Sequence, residues 1–491
     1  MDTNISKSAV RRESPDRYFQ FVSWLERFIE ARHLGIRMRL YRLQCHVLCQ
    51  LGFLKFVFRV LRLLRPIFIF RKLMIVTQAR EVREVLGRFD DFTLGESIDP
   101  GMPWGNFLMT VDWRQRHAQE RQWLQSAVDP ADTDKIRAIV IGRCQQQINA
   151  ANGRIDVVSQ LLEPVVVEIA NQYFGVPSPA GSTQEMAHAM RDLAGIIMAK
   201  PPIGSEPSSR SRANIAKVTD AVLTEISSVA SSAAGSPPAP NLLARLARQL
   251  RTPGAPSWFD EDWIRRYLTG LIATGGATIV RAGAGATDQI LAHPDALREA
   301  QAVAIQLDQA MIQLDQAMAQ PDQAADEQER VDALQRVGAL RERVDTLRDT
   351  LRHYVYEALR FRPMLPLLLR DTPRDTVIAY GTKKARIVRA GTRVLAPPLS
   401  AMFDQKAVPK PSRFDAKRPF DQYLHFGFGP RECFGRYIAE IVLLEVFRSL
   451  LVLDGLSRAT DAKGKLRFDG PAAAGLVVTF QERSQPATSD G

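Results

Sequence analysis

The segment with the most specific chemistry is a glycine-rich loop around one cysteine, HFGFGPRECFG, which spans residues 425–435. Its glycines, Gly427, Gly429 and Gly435, leave the backbone little steric bulk, so a flat macrocycle can approach it closely. A cysteine thiolate is a soft ligand for a transition metal. The loop therefore predicts a metal site in which Cys433 is the protein ligand.

Two features beside the loop favour a thiolate and an anionic ligand. Arg431, two residues before Cys433, is placed to meet an anionic group on the macrocycle. The apolar sequence GRYIAEIVLLEVFRSLL predicts a helix directly after Cys433, and the dipole at the start of a helix favours a thiolate. An incidental buried cysteine is the alternative, but Phe, three Gly and Cys in this spacing arise by chance in about one chain in ten thousand.

The loop resembles the cysteine loop of the cytochrome P450 family of haem-thiolate monooxygenases. That pattern, Phe-Gly-x-Gly-x-x-x-Cys-x-Gly, is met at every specified position from Phe426 to Gly435. The resemblance implies a multihelical cytochrome P450-like fold that binds haem b, with Cys433 as the axial iron ligand. It also implies that Phe426 and Gly435 belong to the haem-binding loop and that Arg431 contacts a haem propionate.

A glutamate and an arginine lie 76 and 73 residues before Cys433, in the sequence Glu357-Ala-Leu-Arg360. Side chains three apart share a helix face, and a buried carboxylate needs a bidentate cationic partner. In order with the cysteine loop, this sequence resembles the Glu-x-x-Arg helix of the family. Arg413, in the sequence PSRF, resembles the later arginine of the same charged triad. The resemblance implies that these three residues hold the cysteine-loop region and are not catalytic.

Three further basic residues resemble propionate ligands of the family. Arg370 follows Arg360 by ten residues, at the end of PMLPLLLR. His117 and Arg121 are spaced by four, so both point off one face of a helix. They resemble the His-x-x-x-Arg pair of the family, and the resemblance implies that all three bind haem propionates. Positions on the surface, without a ligand, are the alternative for each.

Residues 270–283, GLIATGGATIVRAG, resemble the long helix that crosses above the haem in this family. We expect Gly275 and Gly276 to loosen the helix and leave space for oxygen, and Thr278 to supply the catalytic hydroxyl. The family's usual acid is replaced by Ala277, whose methyl group cannot transfer protons. Either Thr278, water and the substrate carry the protons, or the oxygen source is a peroxide or a lipid hydroperoxide.

The resemblance implies an oxidoreductase, a monooxygenase that inserts one oxygen atom of O2 into a hydrophobic small molecule. Because only 58 residues follow Cys433, we expect electrons from a separate redox partner, such as a ferredoxin with its reductase. The first alternative is a fatty-acid hydroperoxide isomerase or peroxygenase that needs no reductase. The phrases YLHFGFG and AMFD resemble the haem-thiolate domains of fatty-acid diol synthases. The second alternative is a non-catalytic haem-binding sensor.

The elements that must position these residues are mainly helical. Helical patterns dominate from 20 to 360, and the short β-rich pieces TVIAY, ARIV and TRVLA lie between 365 and 425, so we expect a mainly α fold with a small β region. The heptad IQLDQAM occurs twice from 305 to 318, and a degraded AQPDQAA follows. These copies and a second apolar stripe predict an inserted helical hairpin in which Pro321 ends the first helix.

Two other patterns bear on the surface. Segments rich in Pro, Ser and Gly at 178–186, 201–213 and 231–257 predict long loops. The sequence of 53–65 predicts a basic amphipathic helix. Its basic face contains Lys55, Arg59, Arg62 and Arg65, and its apolar face contains Phe53, Leu54, Val57, Leu61 and Leu64.

The whole chain has 491 residues, 45% of them hydrophobic, and only four cysteines, which excludes disorder and a disulfide scaffold. Neither His-Glu-x-x-His nor Cys-x-x-Cys occurs, so a zinc site has little support. We predict an N-terminal helical extension over 1–69, a haem-thiolate domain over 70–485 with the helical insert at 300–345, and a tail over 486–491.

The net charge of +11 raises the question of an anionic partner. Because this charge is spread out and no recognised module accompanies it, we expect no nucleic-acid partner. The N-terminus lacks the apolar core of a secretory signal, and no uncharged apolar run reaches about 18 residues. We therefore expect a cytoplasmic protein, with contact between 53–65 and an anionic membrane surface as the alternative.

Overall fold

The computed structural model of the chain describes residues 33–94, 105–231, 240–321 and 326–481. The expected class, mainly α with a small β region, is confirmed. The helices are 33–49 (α1), Leu51–Leu64 (α2), Ala79–Gly87 (α3), Arg114–Ser126 (α4), Asp132–Asn149 (α5), Glu163–Glu168 (α6), Thr183–Ala199 (α7), Glu206–Ser231 (α8), Leu242–Gln249 (α9), Glu261–Leu291 (α10), Pro294–Met318 (α11), Glu327–Phe361 (α12), Pro398–Ala401 (α13) and Arg436–Leu451 (α14).

The strands are short and form four small sheets. They are Ile67–Phe70 (β1), Leu73–Val76 (β2), Arg154–Asp156 (β3), Leu368–Asp371 (β4), Thr376–Ile378 (β5), Arg386–Val388 (β6), Arg393–Ala396 (β7), Ser457–Arg458 (β8), Arg467–Asp469 (β9), Ala472–Gly475 (β10) and Val477–Thr479 (β11). The largest sheet has the order β1-β2-β7-β4, with β2 and β7 parallel and the other pairs antiparallel. The strands expected at TVIAY, ARIV and TRVLA are confirmed as β5, β6 and β7.

The long helix α10 runs through the centre of the helical body. Asp260 caps its start by accepting a hydrogen bond from the backbone N–H of Trp263 at 2.7 Å. Its residues are buried on every face, as expected for a helix that is apolar all round. It packs most extensively against α7, α8, α12 and α14, which hold it in place.

The heptad repeat forms the helical hairpin that the sequence predicts. Helices α11 and α12 pack along each other, and α11 ends at Met318, shortly before Pro321. Leu307 of the first helix and Val344 and Leu351 of the second are buried. Because Asp308 also pairs with Arg448 of α14, the hairpin packs on its own chain. Residues 322–325, in the last copy of the repeat, lie outside the described residues.

The prediction of long loops at 178–186, 201–213 and 231–257 is partly right: 178–182, 201–205 and 250–257 lie outside the α-helices, but α7, α8 and α9 occupy 183–186, 206–213 and 242–249. The loop-forming residues act as helix caps instead. Ser182 Oγ accepts a hydrogen bond from the Glu185 backbone at 3.3 Å, and Asn241 Oδ1 accepts one from Ala244 at 2.9 Å. Residues 232–239 lie outside the described ranges.

Helix α2 forms as predicted, but the face assigned to its basic side chains is only partly right, since Arg59 and Arg65 alone are exposed. Two of the four basic residues turn inward, since Arg62 donates to the Ser400 carbonyl at 2.9 Å and Lys55 lies over the Phe403 ring at 4.5 Å. The aromatic ring and the carbonyl supply partners that solvent would otherwise provide. Phe53 and Leu64, expected on the buried face, are exposed.

The predicted domain boundaries stay predictions. The first 32 residues of the predicted extension and the predicted tail at 486–491 lie outside the described residues. Within the described ranges, no helix combines the length and the apolar character needed to cross a bilayer.

Candidate functional site

The cysteine loop is held in a fixed conformation at the start of α14. The backbone N–H of Cys433 donates to the Phe426 carbonyl at 2.9 Å, which closes the loop. Gly427 and Gly429 have φ values of +82° and +76°, a region that side chains disfavour. A Cβ at Gly429 would also lie 2.9 Å from the Cα of Gly87, so the loop packs directly on the end of α3.

One cavity of about 760 Å³ opens in front of this loop. The loop forms one wall, α10 contributes another, and apolar side chains supply most of the rest. The structure brings ten of the predicted site residues to this cavity: His117, Arg121, Gly275, Gly276, Thr278, Arg370, Phe426, Arg431, Cys433 and Gly435. Residues that are up to 318 positions apart in the chain therefore meet around a single space.

Positive charge is concentrated among the residues that line this cavity. Arg370 is buried on β4, its Nη1 donates to the Leu369 carbonyl at 2.7 Å, and its Nε has no hydrogen-bond partner. Burial, with the nearby charge of Arg431, lowers the pKa of Arg370 to about 9. Burial likewise lowers the pKa of His117 to about 4, and the charges of Arg431 and Arg121 contribute. An anion here would relieve both effects.

Arg431 and Arg121 complete this group of cations. Arg431 pairs with Asp112, donates to the Met109 carbonyl at 3.1 Å, and has an unpartnered Nε. Arg121 donates to the Glu432 carbonyl at 2.8 Å. Asp112 is the one carboxylate that forms an ion pair with any of these residues within the described part of the chain. The set can therefore hold a ligand with two carboxylates, as haem has.

Cys433 is the metal-ligating candidate, and its thiol is open to the cavity yet deep in the molecule. Burial raises the pKa of this thiol, although a hydrogen bond from the Gly435 backbone opposes the rise. The described residues contain no cluster of three or more His, Cys, Asp or Glu side chains that could hold a metal ion. A lone cysteine suits a metal that brings its other ligands in a macrocycle, so the residues present fit haem.

The middle of α10 forms the wall that carries Thr278. The Thr278 hydroxyl donates within the helix, to the carbonyls of Thr274 at 2.7 Å and Gly275 at 3.1 Å. The expected loosening of the helix is not seen, because α10 is continuous from Glu261 to Leu291. Gly275 faces open space, whereas a Cβ at Gly276 would lie 2.3 Å from the Met190 sulfur. Gly276 thus permits the close packing of α7.

Ala277 points away from the main cavity. It packs against Ala472 and borders a small void that Glu163 and Arg191 also line. Those two side chains form an ion pair, with Nη2 of Arg191 2.5 Å from the Glu163 carboxylate. An acidic side chain at position 277 would therefore lie near Arg191. With alanine at this position, Glu163 is the ion-pair partner of Arg191.

Glu357 is the centre of a buried network behind the cysteine loop. Arg360 donates two hydrogen bonds, of 2.7 and 2.8 Å, to the Glu357 carboxylate. Arg418 Nε adds a contact at 3.3 Å, and the Tyr423 hydroxyl adds one at 3.1 Å. Because Tyr423 lies two residues before the loop begins, this network ties the loop to α12.

The assignment of Arg413 to the charged triad is corrected. Its side chain is exposed, and it contributes its backbone carbonyl, which accepts from Arg360 at 3.1 Å and from Arg418 at 3.2 Å. The buried arginine that reaches Glu357 is Arg418, five residues later. A turn lies between the two arginines, so the sequence position of an arginine did not reveal which one points inward.

Sequence reasoning also missed several polar residues at the cavity. Asp112, which pairs with Arg431, follows an irregular segment and has no motif. Lys200 and Arg281 line the cavity as well. The sequence contains one signal that could have identified Arg281: it is the single charged residue between 267 and 287 of α10.

Comparisons with known proteins agree with this geometry. The family model described as Cytochrome P450 matches residues 343–452, which include the Glu357 network and the cysteine loop. A bifunctional dioxygenase–epoxy alcohol synthase of Fusarium oxysporum is 36% identical over 149 residues, 30% of this chain and 11% of that protein. A linoleate diol synthase of Gaeumannomyces graminis is 43% identical over 77 residues, 16% of this chain and 7% of that protein. The chain thus matches about a tenth of these relatives' length.

Solved structures match over most of the chain. The open form of cytochrome P450 EryK from S. erythraea superposes with a TM-score of 0.68 at 18% identity, covering 90% of this chain and 98% of that one. CalO2 superposes with a TM-score of 0.65 at 22% identity, covering 87% and 95%. At these identities the likeness establishes the fold.

The corrected triad predicts unequal effects for two nearby arginines. Arg418→Met should lower the free energy of unfolding by about 3–5 kcal/mol, because it removes a buried partner of Glu357. Arg413→Met should change it by less than about 0.5 kcal/mol, because that side chain is exposed. Urea denaturation followed by circular dichroism measures both values. Equal losses in the two variants would contradict the assignment of Arg418.

Proposed function

We propose that this chain, whose residues 343–452 match the Cytochrome P450 family model and whose fold is that of solved cytochrome P450 structures, is a haem-thiolate monooxygenase acting on a hydrophobic small molecule. In this reaction one atom of O2 enters a C–H bond, the other leaves as water, and two electrons and two protons are consumed. The observation that carries the proposal is the meeting of Cys433, the cationic group and Thr278 around one largely apolar cavity.

The residues that would hold haem b follow from the cavity. Cys433 Sγ would ligate the iron, and Arg121, Arg370, Arg431 and neutral His117 would face the two carboxylates. When bound, haem supplies the redox-active iron at which oxygen is reduced and cleaved. The buried guanidinium of Arg370 would gain a counter-ion from such a ligand, because burial leaves its charge uncompensated.

The wall of α10 supplies the remaining chemistry of the chain. Thr278 Oγ1 donates to helix carbonyls and keeps lone pairs free, so it can accept a hydrogen bond from water or substrate in the cavity. Gly275 leaves open space beside it. The apolar lining excludes bulk water and orients a hydrophobic substrate. A separate protein, such as a ferredoxin with its reductase, would supply the electrons.

A fatty-acid hydroperoxide isomerase or peroxygenase is the second candidate. Two observations favour it: Ala277 stands where an acid is usual, and the relatives include a linoleate diol synthase and an epoxy alcohol synthase. Such a reaction uses the oxygen already bound in a peroxide, so it needs neither electrons from a reductase nor the acid that relays protons to O2.

Membrane contact is proposed on the exposed side of α1 and α2. Leu40 and Leu43 of α1 and Phe56 and Leu63 of α2 are each at least 58% exposed, and Leu40 and Leu43 also border the cavity. Exposed apolar side chains of this size are typical of a helix that rests in the interface of a bilayer. This surface would give a hydrophobic substrate a direct route into the cavity.

The proposed iron ligand predicts a spectral result. The reduced, haem-loaded protein with carbon monoxide should show a Soret band at the position typical of a thiolate ligand, and Cys433→Ala should abolish it. Cys144→Ala, which alters another buried thiol away from the cavity, should retain the band. A wild-type protein without this band, or a Cys433→Ala variant that keeps it, would overturn the proposal.

The two candidate reactions predict different requirements for electrons. A monooxygenase should consume NAD(P)H with added ferredoxin and reductase and form no product without them, because it has to reduce O2. An isomerase should instead convert linoleic acid hydroperoxide without reductant. Product analysis by mass spectrometry decides between them. Absence of both activities would support the sensor alternative and reject both reactions.

The membrane proposal predicts a loss of vesicle binding. Replacing Phe56 and Leu63 with Asp should weaken binding more than tenfold, because each exposed apolar side chain contributes about 1.5–3 kcal/mol when buried. Co-sedimentation with phosphatidylcholine vesicles, with and without phosphatidylserine, measures it. Ile312→Asp, at an exposed position of the α11–α12 hairpin, is the matched control. If the control loses as much binding as the double variant, α2 is not the contact.

A further inference from the structure

Arg281 is a buried arginine at the cavity that the proposed chemistry does not use. It lies on α10 three residues after Thr278, is 6% exposed and lines the same cavity. Three residues of α-helix span about 4.5 Å. The side chain therefore starts within one helical turn of the wall where the reaction is proposed to occur.

All the partners of Arg281 are uncharged groups. Nε donates to the Met364 carbonyl at 3.0 Å, and Nη1 donates to the Pro471 carbonyl. The Cys49 sulfur is 4.0 Å away, and the ring of Phe468 packs on the guanidinium. Within the described ranges, no carboxylate pairs with Arg281, and its Nη2 forms no hydrogen bond.

Two neighbouring cations differ from Arg281 in having a carboxylate nearby. Arg362, which contacts the same Phe468 ring, pairs with Asp288 at 3.1 Å. Lys200 also lines the cavity, but the carboxylate of Asp371 opposes the effect of burial on its pKa. Burial lowers the pKa of Arg281, with only the two cysteines opposing it. A charge buried in this way is costly until an anion pairs with it.

An anion that forms an ion pair with Arg281 must come from outside the described residues. Glu432 is the one acidic residue among those that line the cavity, and its carboxylate pairs with Arg436. The two carboxylates of haem would face the separate group formed by Arg121, Arg370 and Arg431. The cavity that Arg281 lines is otherwise bordered mainly by apolar side chains, among them Leu365, Leu367 and Val47.

We propose that Arg281 binds the carboxylate of the substrate, and that the substrate class is a long-chain carboxylic acid whose hydrocarbon chain fills the apolar part of the cavity. This inference rests on the proposed function and names the substrate class for that site. The ion pair would be charge-assisted and shielded from bulk water, which makes it stronger than a surface pair. It would fix the acid end of the chain, and with it the carbon that reaches the reacting wall.

The test compares an acid with its neutral analogue. Hexadecanoic acid and hexadecan-1-ol are titrated into the haem-loaded protein by isothermal titration calorimetry at pH 8. Wild type should bind the acid more tightly than the alcohol. Arg281→Gln keeps donors for the Met364 and Pro471 carbonyls but removes the charge, so it should weaken acid binding about tenfold to hundredfold and leave alcohol binding unchanged.

Two more variants separate the carboxylate contact from a structural role. Arg281→Lys should retain most of the preference for the acid. Arg362→Met removes an equal charge from the same neighbourhood outside the cavity lining, and it should leave the preference intact. Equal binding of acid and alcohol by wild type, or a parallel loss of both ligands in Arg281→Gln, would overturn the inference.

The proposed function is tested by a different measurement, the carbon monoxide spectrum. The calorimetric preference for the acid does not depend on any spectral change. A wild-type protein with the thiolate band but no preference for the acid keeps the proposed function and rejects the role of Arg281. The reverse result rejects the proposed function alone.

Discussion

The position of the cysteine depends on the hydrogen bonds that the buried carboxylate of Glu357 accepts. It accepts hydrogen bonds from Arg360, Arg418, Tyr423 and the backbone of Asp415, so one side chain on α12 anchors the segment that leads into the loop. A carboxylate without these partners would be costly in the core, and each partner restricts where the chain can run. The loop then has to meet α14 with Cys433 at the helix start.

A second constraint acts on the opposite side of the cysteine. Arg121, Arg370, Arg431 and Arg281 place positive charge at a cavity that has little acid of its own. Their mutual repulsion and burial raise the free energy of the protein without ligands, and anions that bind there relieve it. The rigid Glu357 network on one side and this unbalanced charge on the other make ligand binding and stability interdependent. The described residues thus leave a group of cations that an anionic ligand would pair with.

Local sequence patterns predicted most of the elements and the cavity residues, because those features follow from spacing along the chain. Cys433, the helix after it, and the strands β5 to β7 have signals within about ten residues. The errors arise where tertiary contacts decide. Arg418 rather than Arg413 reaches Glu357 because of a turn between them, and Lys55 and Arg62 face inward because Phe403 and Ser400 offer partners. Periodicity does not contain that information.

The same limit applies to α10, where the order of residues in the sequence does not show what each side chain contacts. Ala277 and Thr278 are adjacent in the sequence, but a helix turns about 100° per residue. The structure therefore places Ala277 beside Ala472 and the Glu163–Arg191 pair, and Thr278 and Arg281 at the cavity. The helix lacks an acid beside Arg191, and one turn later Arg281, which reaches the cavity, has no carboxylate partner among the described residues. A substrate that carries its own carboxylate would meet that cation, so the substrate itself would supply the negative charge that α10 lacks at the cavity.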